Sequence, residues 1–114
     1  MKKIIFYLLF TFFISCGEKA EKSISIPTHI LSKEKIAQVI TDIHIAEAES
    51  TLNAISDSTF KRSVYFEEIF EKHQITKQQY EESLAFYISH PEVFNKIYEQ
   101  VLSDLSKMQA EMSK

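Results

Sequence analysis

One cysteine, one glycine and two prolines are all that these residue types contribute to 114 residues. A single thiol, Cys16, excludes an internal disulfide and any paired-cysteine redox or zinc motif. The lone glycine, Gly17, excludes a glycine-rich phosphate loop. With Pro27 and Pro91 the only prolines, long helices can run from Ser32 onward with Pro91 as their one proline break. Sustained strand-like alternation is missing, as are internal repeats and low-complexity tracts. There is no HExxH zinc motif and no nucleophile elbow, and no Ser or Thr has a base at a recognisable spacing. The expectation is therefore no enzyme, no catalytic residue, no resident metal and no cofactor. Basic residues are short as well, with 13 Lys and Arg against 16 Asp and Glu. That balance argues against nucleic acid as a partner and against electrostatic docking on anionic lipid.

The one long apolar run sits at the start. Lys2 and Lys3 precede Ile4 to Ile14, and Ser15 precedes Cys16. A positive start, an apolar stretch of about 7–15 residues and a small residue before the cut are the three parts of a secretory signal. The run is too short to span a bilayer, which takes about 20 residues. Phe13-Ile14-Ser15-Cys16 resembles the lipobox of bacterial lipoproteins, with Phe13 where Leu is usual. The resemblance implies a cleavable signal peptide over 1–15 and a lipid on Cys16, which anchors the protein to the cell envelope. Cleavage takes the basic count from 13 to 11 against 16 acidic residues, a net −5, so the acyl chains must supply the membrane affinity. Residues 16–31 read as the lipidated cysteine and a polar tether, and 32–114 as the domain. No Asp follows Cys16, which favours the outer membrane and leaves open the face on which the domain sits.

Four helices are expected. The first runs from about Lys33 to Ile55 with Ser32 as N-cap. On it Ile36, Val39, Ile40 and Ile43 share one face, and Ile45, Ala48, Leu52 and Ile55 a nearly opposite one. Either two partners flank this helix, or it bends near His44. The second spans about Ser58 to His73, with Tyr65, Phe66, Ile69 and Phe70 on its apolar face. The third starts at Thr76, where Gln79 completes a capping box and Ile75 with Tyr80 a hydrophobic staple. Pro91 opens the fourth at the first helical position, and Glu92 suits the helix dipole. Phe94, Ile97, Val101, Leu105, Met108 and Met112 give it the cleanest amphipathic stripe. Short connections favour antiparallel neighbours, so the fold class is all-α, a compact antiparallel bundle of about four helices.

Two stretches, Ile40–Glu49 and Ile75–Leu102, together with the leader, resemble domain-of-unknown-function family 4296. Its members are small lipoproteins, mostly from Bacteroidota. The carrying residues are Asp42, His44, Ala46, Glu47 and Ala48; Thr76 and Tyr80; Phe86 and Tyr87; and His90, Pro91 and Glu92. Members often have Gly before the Ile-Thr step, where this chain has Gln74, so its second helix must end without the easy left-handed residue. The resemblance implies location and fold but no mechanism.

Asp42, His44, Glu47 and His90 are the candidate polar residues. His44 and Glu47 are three apart and can face each other, while Asp42 points roughly 160° away from His44. The cluster is a network fixing helix register, a partner contact, or one half of a metal or small-ligand site for which His73 or His90 would have to supply more. His90 before Pro91 reads as the N-cap, or the residue just outside the fourth helix, and His73 as a cation suited to a helix C-terminus. Phe60, Val64 and Phe86 lie off the main stripes and either cover the turned face of the first helix or form an exposed apolar patch for a partner. The functional expectation is a lipid-anchored interaction module or accessory subunit of an envelope assembly, with an unknown protein partner. The alternative is a metal- or ligand-binding domain built on the His44/Glu47 helix.

Overall fold

A computed structural model describes residues 23–52 and 58–114, with the side chains of 58–61 outside that description. The leader, Cys16, Ile55 and the Phe60 side chain therefore lie outside the described residues. Four helices are described: α1 (Lys33–Leu52), α2 (Ser58–His73), α3 (Lys77–Ile88) and α4 (Pro91–Met112), with no strand among the described residues. The domain is an all-α bundle in which α1 is the hub, packed on both α2 and α4, while α3 packs on α4 and α1.

The helix starts follow the local chemistry. The Lys35 N–H donates to Ser32 Oγ at 3.1 Å, so Ser32 caps α1 as its position implies. The Gln79 N–H donates to Thr76 Oγ1 at 3.0 Å and starts α3 the same way. Pro91 takes the first turn of α4, where its missing N–H costs nothing.

The end of α2 shows what the chain does without glycine. Gln74 has φ of 57°, the left-handed region. The Gln74 N–H bonds the Glu71 carbonyl at 3.0 Å and the Ile75 N–H bonds the Phe70 carbonyl at 2.9 Å, the paired bonds of a Schellman turn. Ile75 completes the motif by packing beside the core around Phe70. A left-handed L-residue costs about 1–2 kcal/mol, and glycine gives back about 0.5–1 of that in backbone entropy. Gln74→Gly is therefore expected to stabilise the domain by about 0.5–1 kcal/mol, read as a higher urea midpoint at unchanged slope.

The wide stripe of α1 serves two neighbours. Ile36, Ala37 and Ile40 enter one buried cluster with Tyr87, Ile97 and Val101. Val39 and Ile43 enter another with Ile69 and Phe70 of α2. Two partners thus flank α1, but both lie on its first face. Among the described residues the expected second face is largely open: Ile45 is half-buried, Ala48 exposed and Leu52 86% exposed. At about 100° per residue Ile36 to Ile43 already span an arc wide enough for two helices, so no reversal of the stripe is needed. Asp42 of α1 meets His73 of α2, and Glu47 meets Arg62, which makes α1 and α2 antiparallel.

Part of the expected tether belongs to the domain. Ile30 and Leu31 are buried, and Ile24 and Ile26 pack against the same cluster. A turn closed by the Ile30 N–H on the Pro27 carbonyl at 3.1 Å leads into this docking point.

Candidate functional site

The polar residues singled out on α1 part company because the helix turns them to different neighbours. Asp42 sits at the α2 edge of the stripe. Its Oδ2 accepts from His73 Nε2 at 2.7 Å and from Lys72 Nζ at 2.9 Å. His73 lies at the end of α2, with its side chain only 9% exposed. Burial pushes the Asp42 carboxyl up, but the hydrogen bonds and charges of Lys72 and His73 outweigh it and hold the group below its ordinary value. The result is a carboxylate clasp between the middle of α1 and the end of α2.

His44 lies on the α4 edge. Its Nε2 is 2.7 Å from the Tyr98 hydroxyl, with the two rings edge to face at 5.9 Å. Its Nδ1 is 3.8 Å from Glu47 Oε2, and Glu47 Oε1 is 3.9 Å from the Arg62 guanidinium on α2. With the neutral ring carrying its proton on Nδ1, the Tyr98 hydroxyl donates to Nε2 and the ring N–H faces Glu47. Glu47 is therefore a half-exposed acceptor between His44 on its own helix and Arg62 on α2. Tyr80 stands nearby; burial first, then the charges of Glu47 and Tyr98, raise its phenol above the ordinary value and keep it a neutral donor.

His90 occupies the N-cap position of α4, yet its ring does not reach the helix it precedes. It turns back, and Nδ1 donates to the Phe86 carbonyl at 2.8 Å while the ring lies 4.6 Å from that of Phe86. Ser89 Oγ donates to the same carbonyl at 2.6 Å. The end of α3 has carbonyls to satisfy, whereas the Val93 N–H that an N-cap side chain would serve is already bonded to the His90 carbonyl at 3.0 Å. The His90 side chain thus closes α3 while its carbonyl opens α4.

His73 and His90 are spent at opposite junctions, and the third ligand that a site at His44 and Glu47 would need is not brought in. Among the described residues no group of three His, Cys, Asp or Glu side chains is placed to hold a metal ion. The expected apolar patch is also redrawn. Phe86 packs beside the main cluster and against Tyr87, while Val64 is 36% exposed. Among the described residues the large apolar side chains left open are Val64 on α2, as expected, together with Leu52 on α1, Ile88 on α3, and Leu102, Met108 and Met112 on α4. On α4 the stripe that buries Ile97 and Val101 continues as half-buried Leu105, exposed Met108 and Met112, the last 83% exposed.

Ser83 does not announce itself in the sequence, and Tyr87, one of the residues that carry the family resemblance, takes on with it a role that the resemblance does not show. Ser83 and Tyr87 on α3 are wholly buried and hold one residue between them. The Leu31 N–H donates to Ser83 Oγ at 2.9 Å, and the Tyr87 hydroxyl donates to the Leu31 carbonyl at 2.7 Å. Ser83 donates its own proton to the Gln79 carbonyl at 2.6 Å. Burial, then the charge of Glu34, raises the Tyr87 phenol above its ordinary value, so it stays a donor. Their one signal is spacing: Ser83 and Tyr87 are four apart and share a helix face with Tyr80 and Leu84.

A family model described as Domain of unknown function (DUF4296) matches residues 27–111. No curated protein and no solved structure matches the chain.

Proposed function

The chain belongs to the DUF4296 family, and from that membership we propose that it is a lipid-anchored helical module of the cell envelope that docks a protein partner and performs no catalysis of its own. The observation that carries this reading is the apolar stripe of α4 running on past its cover through Met108 and Met112. Open apolar rows of this kind mark interaction surfaces, and flexible Met side chains suit a surface that adapts to its partner. The leader supports the anchor: it has the parts of a lipoprotein signal, and among the described residues no helix is long and apolar enough to cross a membrane. On this reading the lipid on Cys16 holds the domain at the envelope, with the outer membrane favoured by the residues after Cys16.

The polar junctions on α1 are read as register locks. Each of their close partners, Tyr98 for His44 and His73 for Asp42, lies on another helix of the same domain. A reaction site would need converging groups aimed at an open cavity.

The test is crosslinking in the native membrane. The lipidated protein is compared with Cys16→Ser and with Met108→Glu/Met112→Glu. The expected result is one specific crosslinked protein that both variants lose, the double variant by at least about tenfold while its helical circular dichroism is unchanged, as suits loss of a central apolar contact. Capture that survives the double variant would show that the α4 row is not the docking face.

A further inference from the structure

Two wholly buried polar side chains, Ser83 and Tyr87, are spent on the backbone of a single residue that precedes the first helix. Such an arrangement is unnecessary for helix packing, because apolar residues at both positions would fill the same space. It is how a groove grips an extended segment: bonds to the peptide unit, and apolar pockets for alternate side chains. Ile24 and Ile26, two apart, are half-buried while Ser23 and Ser25 before and between them are exposed, and Ile30 and Leu31 finish the grip in the core.

We propose that residues 24–31 are a docked strap, held by the Ser83–Tyr87 pair, that fixes how far the domain can stand from its anchor. This rests on the reading of Cys16 as the lipidated residue. With the strap docked, only residues 17–23 separate Cys16 from the fold, a span of at most about 25 Å at full extension. With the strap released, residues 17–31 can bridge roughly twice that. The pair sits on α3, so it is the third helix, not the first, that takes up tension from the anchor. The strap is thus a standoff device, and its release lengthens the tether of the docking face at the cost of withdrawing Ile30 and Leu31 from the cluster that holds Tyr87 and Ile36.

The test has two readouts. Amide exchange on the full chain compares the wild type with Ser83→Ala/Tyr87→Phe and with Tyr87→Phe alone, which keeps the ring and guards against loss of the fold in the double variant. Protection of the Leu31 amide is expected to fall at least about tenfold in the double variant while the amides of α1 and α4 keep theirs. The lipidated proteins, carrying a fluorophore on Lys114→Cys, are then placed in vesicles of phosphatidylethanolamine and phosphatidylglycerol holding an acceptor lipid. Energy transfer to the bilayer is expected to fall measurably when the strap is released, since the mean tether length grows about 1.5-fold as the free segment goes from residues 17–23 to 17–31. Unchanged Leu31 protection in both variants overturns the strap. Lost protection with unchanged transfer overturns the standoff role. Absence of acyl chains on the Cys16 peptide by mass spectrometry sinks the anchor reading and the standoff with it, while amide exchange still decides on its own whether the strap is docked by Ser83 and Tyr87.

Discussion

Replacing Tyr87 by alanine is expected to remove about 3–5 kcal/mol of stability, the range for losing a large buried aromatic. Its ring is the largest wholly buried side chain among the described residues and packs with Ile36, Ile40, Ile97 and Val101. Small domains are stable by only about 5–15 kcal/mol, so the variant should be close to unfolding at ambient temperature. Tyr87→Phe separates the two contributions. It keeps the ring and strips the Leu31 carbonyl of its donor, and an unsatisfied buried acceptor costs about 1–3 kcal/mol. Urea unfolding followed by circular dichroism reads both. If Tyr87→Ala and Tyr87→Phe lost the same amount, the ring would not be the core element its burial indicates.

The second large effect is expected in acid. Asp42 is held below its ordinary value in the fold, so the unfolded chain binds its proton more tightly than the folded one. Stability from this clasp is therefore complete above the ordinary carboxylate value of 3.8 and is lost as pH falls from there through the lower folded value. Asp42→Asn is expected to cost about 1.5–3 kcal/mol at neutral pH, the range for hydrogen bonds to a charged group. It should also flatten the loss of stability between neutral pH and a pH below the lowered folded value, so that variant and wild type converge at the acid end. Urea midpoints at the two ends of that range decide the matter. A constant gap between the proteins would mean that the clasp stays formed when protonated.

The contrast between Thr76 and His73 shows how far local chemistry reaches. Thr76, Ser32 and Pro91 act on backbone groups within three residues, and their roles are legible because helix termini present the same free donors everywhere. Gln74 is legible for the same reason: a helix that turns sharply into Ile75 needs a left-handed residue, whatever side chain is available. His73 reads only as a cation at a helix end, since nothing local tells that Asp42, 31 residues earlier, stands opposite. The same limit applies to Ser83, which looks like any polar helix residue until Leu31 is placed beside it. On α1 the difference is of another kind. Ile45, Ala48 and Leu52 form a regular apolar row, but periodicity reports only that a face is apolar, not that the fold has a neighbour to put against it.

The hydrogen bonds to Leu31 span 52 and 56 residues, about half of the whole chain. Contacts this far apart along the chain form late, because the intervening segment must first be drawn into a loop. A chain delivered N-terminus first presents Ile30, Leu31, Ile36 and Ile40 long before Tyr87 and Val101 follow to cover them. During that interval the first half of the domain is an unfinished helix with an oily side, open to aggregation until the second half arrives.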